Sequence, residues 1–100
     1  AFKAFSRYPK VSRDLSLLVD HDVTWEQITE TINALNEKSI QVLELFDVYI
    51  GKGIPSGKKS LALSLSFQSP EATMDDEVIQ KLIDGIVDAL RIRLNAELRG

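Results

Sequence analysis

Residues 44–66 read ELFDVYIGKGIPSGKKSLALSLS, two strand-like runs joined by a connection rich in glycine and lysine. From Ser60 to Phe67 small and large side chains alternate, with Ser60, Ala62, Ser64 and Ser66 set against Leu61, Leu63, Leu65 and Phe67. Successive side chains of a strand point to opposite faces. One face is therefore a buried leucine row, and the other a floor of small, mostly hydroxyl side chains. The first run, Leu45 to Ile50, is rich in aromatic and β-branched residues, which suit a pleated, half-buried surface. Its parity is uneven, because Val42, Phe46, Val48 and Ile50 fall in phase with Glu44; a bulge near Glu44 or an overhanging strand reconciles this.

Outward from this hairpin the chain supplies four more elements. Residues 1–12 form an extended lead-in anchored by Phe5 and Tyr8, with Pro9 disfavouring helix before it. Asp14 to Asp20 alternates as a strand, His21-Asp22-Val23 turns the chain, and Thr24 with Gln27 makes a capping box. Trp25, Ile28, Ile32 and Leu35 then follow at helical spacing. After Gln68-Ser69-Pro70, Thr73 is the expected N-cap of a second helix, with Asp75, Asp76 and Glu77 in its first turn. Val78, Ile79, Leu82, Ile83, Ile86, Val87 and Leu90 form its apolar stripe, and Gly85 inside it is expected to mark close packing on the sheet. Ala96 to Arg99 leaves room for a short last strand.

The order β-α-β-β-α-β predicts an α+β, ferredoxin-like fold: a four-stranded antiparallel sheet with two helices on one face. The leucine rows must meet the helices. The opposite face is then left uncovered, carrying Ser16, Asp47, Tyr49, Ser60, Ala62 and Ser64.

One hundred residues make one domain with a modest core. The absence of cysteine excludes disulfides and thiolate metal sites. No apolar run approaches the ~20 residues that span a bilayer, so no membrane partner is expected. The sole methionine is Met74, which suggests a piece of a longer protein or a processed product. Net charge is −3, yet residues 1–13 (Lys3, Arg7, Lys10, Arg13) and 52–59 (Lys52, Lys58, Lys59) contain no acid. This asymmetry matters more to a polyanion than the total does, although solvated loops with excess lysine also produce it.

Enzymatic constellations are lacking in the sequence. His21, the single histidine, falls in a turn after an aspartate, and the Asp75-Asp76-Glu77 cluster has a sufficient explanation in the helix dipole. The Gly51 to Ser60 run is a near miss for a phosphate-binding P-loop: position 52 is lysine where glycine is required, and the segment joins two strands rather than a strand and a helix. A tight hairpin explains its glycines equally well. The uncovered face carries the positive signal. Tyr49 can stack on a base above a floor of serine and alanine that lets a flat ring approach, or it can cover the sheet against a neighbouring domain.

Tyr8-Pro9, Arg13-Asp14-Leu15-Ser16, Leu45-Phe46-Asp47-Val48-Tyr49, the Gly51 to Ala62 hairpin, Thr73 with its acidic helical turn and the closing Glu97-Leu98-Arg99 are similar, in the same order, to one known family. The chain resembles the C-terminal ferredoxin-fold anticodon-binding domain of the bacterial phenylalanyl-tRNA synthetase β subunit. The single-chain mitochondrial enzyme ends in a similar domain whose hairpin is less like this one.

The resemblance implies a non-catalytic tRNA-binding module of an ATP- and magnesium-dependent, cytoplasmic ligase assembled as (αβ)₂. Its expected partners are the anticodon region of tRNA-Phe, the α subunit and the remaining β-subunit domains, and no cofactor is expected in the domain itself. It implies that Tyr49 stacks on an anticodon base, with Ser16, Ser60 and Ala62 on the same face. Arg13, Lys52, Lys58, Lys59 and Arg99 are candidates for phosphate and sugar contacts. The topology suggests that Arg13 and Arg99 share one end of the sheet and the hairpin lysines the other. The alternative reading is a regulatory ferredoxin-like domain that binds a protein or a small ligand.

Overall fold

The computed structural model describes residues 10–69 and 74–99. In chain order the elements are β1 (Val11–Asp20), α1 (Trp25–Asn33), β2 (Ile40–Tyr49), β3 (Lys58–Phe67), α2 (Asp76–Leu94) and β4 (Glu97–Leu98). They build one four-stranded sheet in the order β2-β3-β1-β4, antiparallel at every junction. This is the α+β, ferredoxin-like arrangement expected from the hydrophobic pattern.

The leucine row of β3 is the centre of the core. Leu61, Leu63, Leu65 and Phe67 are buried to 2% exposure or less, in one cluster with Leu15, Leu17 and Val19 of β1. Ile28 and Ile32 of α1 and Ile79, Ile83, Ile86 and Leu90 of α2 complete that cluster, so both helices cover the same face of the sheet. Each such side chain contributes about 1.5–3 kcal/mol through its removal from water.

Several boundaries differ from expectation for identifiable reasons. β1 begins at Val11 rather than Asp14, because β3 is long enough to pair the extra residues and Ser12 Oγ lies 3.1 Å from Ser66 Oγ across the ladder. The capping box of α1 is present: Gln27 N donates to Thr24 Oγ1, and Thr24 N donates to Gln27 Oε1. That helix stops at Asn33, before Leu35, which is left exposed. The N-cap of α2 is Asp75, whose carboxylate accepts from Val78 N at 2.9 Å. Thr73, the lead-in anchors Phe5 and Tyr8, and Pro70 all lie outside the described residues.

Two positions of α2 depart from the expected apolar stripe. Val78 is 44% exposed, outside the buried row. Gly85 is exposed, and a Cβ added there would meet no side chain or neighbouring element within 4 Å. Close packing on the sheet is therefore not its reason. Because the site is open and helical, Gly85→Ala should raise stability by up to about 1 kcal/mol through helix propensity and a less flexible unfolded chain. Urea denaturation of the two proteins measures this directly; a loss of stability would show that the position has a constraint beyond its own helix.

Candidate nucleic-acid interface

Residues directly opposed in an antiparallel ladder share a face, so the register lays out the uncovered surface in rows. Tyr49, Ser60 and Leu18 form the row nearest the hairpin. Asp47, Ala62 and Ser16 form the next, followed by Glu44, Ser64 and Asp14, then by Val42, Ser66 and Ser12. Ser16, Tyr49, Ser60 and Ala62 therefore stand together on one face. Its far half is acidic, because Asp14, Glu44 and Asp47 are all exposed there.

Two irregularities bracket Glu44 and reconcile the uneven parity of β2. The register shifts between Ile40 and Val42 and again between Leu45 and Asp47. The second shift sets Phe46 and Asp47 together against Ala62, the two-against-one pattern of a bulge. Val48 is thereby returned to the helix side, opposite Leu61, and Tyr49 is brought to the open face.

Arg99 reaches this surface by a defined route. Asn95 adopts a left-handed conformation (φ 56°) that ends α2, and buried Ala96 carries the chain into β4. Leu98 pairs with Leu17, and Arg99 N donates to Ser16 O at 2.6 Å. The guanidinium then crosses β1 and donates from Nη1 to Ser60 Oγ at 3.3 Å. Ser60 is only 4% exposed, so its hydroxyl holds the arginine and is not itself presented to solvent.

The other cations divide between the two sides. Arg13 lies opposite Leu65, on the helix side, and its Nη2 pairs with Asp76 Oδ1 at 2.8 Å. It does not share an end with Arg99, contrary to expectation: Arg13 is near the start of β1, and the Arg99 side chain extends toward the hairpin half. Lys59 is opposite buried Val19 and so also faces the helix side. Lys58 sits in the open-face phase but pairs with Asp20 Oδ1 at 2.7 Å. Lys52 is exposed in the hairpin loop.

That loop is tied to the tyrosine. Tyr49 Oη donates to Lys52 O at 3.0 Å, leaving the side chain partly exposed. Gly51 (φ 135°) passes beneath it, with space for a Cβ ending 3.6 Å from Tyr49 Oη. The loop is also held to the β1–α1 turn, where His21 N donates to Gly57 O at 2.9 Å. His21 is exposed, as expected of a turn residue.

Pattern reasoning misses three features of the face. The Arg99–Ser60 hydrogen bond joins strands that are distant in sequence, and no local signal encodes it. The bulge residue Phe46 is legible only as a parity fault. The acids at Asp14 and Glu44 follow from the alternation once the register is known. Among the described residues no group of three or more His, Cys, Asp or Glu side chains is placed to hold a metal ion.

Comparison with known proteins bears on this surface. Residues 6–99 match the model of the ferredoxin-fold anticodon binding domain. The chain belongs to that family. As an anticodon-binding domain it is 49% identical, over 98% of its length, to the phenylalanine–tRNA ligase β subunit of Syntrophotalea carbinolica. It is 40% identical over 99% of its length to the same subunit of Bacteroides thetaiotaomicron, and 44% identical over 95% to that of Lactococcus lactis. In each case it spans 12% of the relative's length.

The tether between Tyr49 and its loop can be tested separately from any ligand. Tyr49→Phe keeps the ring and removes the donor to Lys52 O. Because the bond is exposed, global stability should fall by less than about 1 kcal/mol. Amide exchange within residues 50–57 should nevertheless quicken, as read by NMR; unchanged exchange would show that the hydroxyl does not order the loop.

Proposed function

We propose that this domain binds the anticodon of tRNA-Phe on its open sheet face, as a non-catalytic module of a phenylalanine–tRNA ligase β subunit. The observation that carries the reading is the grouping of Tyr49, Ser16, Ser60, Ala62 and Arg99 on a face that neither helix covers. Family membership and the names of the relatives support the same assignment.

The division of labour follows from charge. Asp14, Glu44 and Asp47 repel phosphate, so the RNA backbone is held at the rim and the bases turn toward the sheet. Arg99, already fixed by Ser60, offers its remaining N–H groups to phosphate or sugar. Lys52, Lys58 and Lys59 add positive charge around the hairpin, Lys58 with part of its charge offset by Asp20. Arg13, engaged with Asp76 on the helix side, is the weakest candidate for contact. Tyr49 supplies the stacking ring, and the small side chains of Ser16 and Ala62 admit a base beside it. The exposed Asp47 carboxylate can accept from base amino groups.

The chain is read as one domain of a longer subunit that assembles with an α subunit as (αβ)₂ in the cytoplasm. The chemistry of aminoacylation, with ATP and magnesium, is assigned to the rest of that enzyme. Among the described residues no helix is long and apolar enough to cross a membrane.

Titration with the anticodon stem-loop of tRNA-Phe at low salt tests the proposal. Tyr49→Ala should weaken binding by ~1–3 kcal/mol, the value of one base stacked on an aromatic ring. Arg99→Gln should flatten the dependence of log K on log salt by about 0.7 for each phosphate that the arginine neutralises. Absence of binding, or binding indifferent to Tyr49→Ala, would sink the assignment of this face.

A further inference from the structure

We propose that Phe46, the residue extruded by the bulge in β2, is a second stacking platform for an unpaired base beside the one at Tyr49. This deepens the anticodon-binding reading and rests on it. The bulge sets Phe46 with Asp47 against Ala62, between Leu45, which opposes Leu63 on the helix side, and the open-face row. Phe46 is thereby denied a place in the leucine row and is 59% exposed, among the most exposed large apolar side chains of the described residues. A bulge leaves its extra residue unpaired and bends the strand, which here takes an aromatic residue out of the alternation of β2 and leaves it exposed.

The surroundings favour a nucleobase over an apolar protein surface. Glu44 and Asp47 flank the ring in sequence, both in the open-face phase and both exposed. An apolar partner covering Phe46 would have to desolvate two carboxylates without partners, which is costly. A base meets both needs at once. Its π-face lies on the ring, and its amino or imino N–H groups donate to a carboxylate at the edge. The ligand class is therefore an unpaired base bearing N–H donors. Phe46 shares Ala62 with Asp47, and Tyr49 opposes Ser60 two residues away on β3, so the two positions lie about 7 Å apart along the ladder. Two bases held there are neighbours on the surface rather than members of one continuous stack.

The test uses the 100-residue chain and the anticodon stem-loop of tRNA-Phe carrying 2-aminopurine at one loop position at a time. Two separate loop positions should be quenched by the unaltered protein, one lost in Tyr49→Leu and the other in Phe46→Leu. Phe46→Leu keeps an apolar side chain at an exposed site but removes the ring, so affinity should fall at least ~5-fold. Phe46→Trp should hold or exceed the starting affinity, with circular dichroism confirming that each variant is folded. Normal binding by Phe46→Leu alongside weakened binding by Tyr49→Leu overturns the role of Phe46 and leaves the open-face reading standing. Indifference to both substitutions overturns both. Quenching at a single loop position by the unaltered protein removes the second platform without reference to any variant.

Discussion

The unbroken ladder between β1 and β3 is the constraint on which everything else in this domain depends. From Val11 opposite Phe67 to Asp20 opposite Lys58 the register does not slip. It keeps Leu15, Leu17 and Val19 in phase with Leu61, Leu63 and Leu65. A slip of one residue would turn those leucines to solvent and the serines to the helices, so burial holds the pairing in place. The same phase lock carries Ser16, Ser60 and Ala62 to the opposite surface. The composition of the open face is thus a by-product of a core requirement, and little independent stabilisation is needed to hold it flat.

β2 is under a weaker constraint, and there the surface becomes irregular. As an edge strand it is hydrogen-bonded on one side alone, and its two register shifts are accommodated without disturbing the β1–β3 ladder. Edge strands with bulges are poor templates for pairing with another chain, which protects an otherwise long and partly apolar edge. The bulge also changes which residues face outward: without it Tyr49 would share the helix side with Leu45 and Leu43. A backbone irregularity, and not the alternation of side chains alone, therefore puts the tyrosine where it can meet a ligand.

What can be read from the chain follows this difference in constraint. The leucine alternation of β3, the Thr24–Gln27 box and the helical spacing of Ile79, Ile83, Ile86 and Leu90 are local and periodic, and each appears where the pattern places it. The same periodicity assigns Ser16 and Ala62 to one face, and the register agrees; Tyr49 joins them because the bulge resets the phase of β2 after Leu45. The start of β1, the stopping point of α1 and the identity of the second cap depend on which neighbour competes for a backbone group. Such competition is not periodic. Gly85 and Arg13 depart from expectation for a related reason: their surroundings are set by elements remote in sequence, an open helix face for one and Asp76 for the other.

Arg99 shows how a distant residue is built into the face with little regular structure of its own. β4 has two residues, too few to hold a side chain precisely by pairing alone. Its position is instead fixed at successive points: the left-handed turn at Asn95, the burial of Ala96, the Leu98–Leu17 pair and the bond from Arg99 N to Ser16 O. Only the last step, from guanidinium to Ser60 Oγ, involves the side chain. That step shields a hydroxyl that would otherwise be solvated, and it orients a planar group with several donors still unspent. A cation held this way loses less conformational freedom on meeting a phosphate than the hairpin's exposed Lys52 does. The ordering cost is met largely during folding, so a domain with a net negative charge can still present one well-placed positive group to a polyanion.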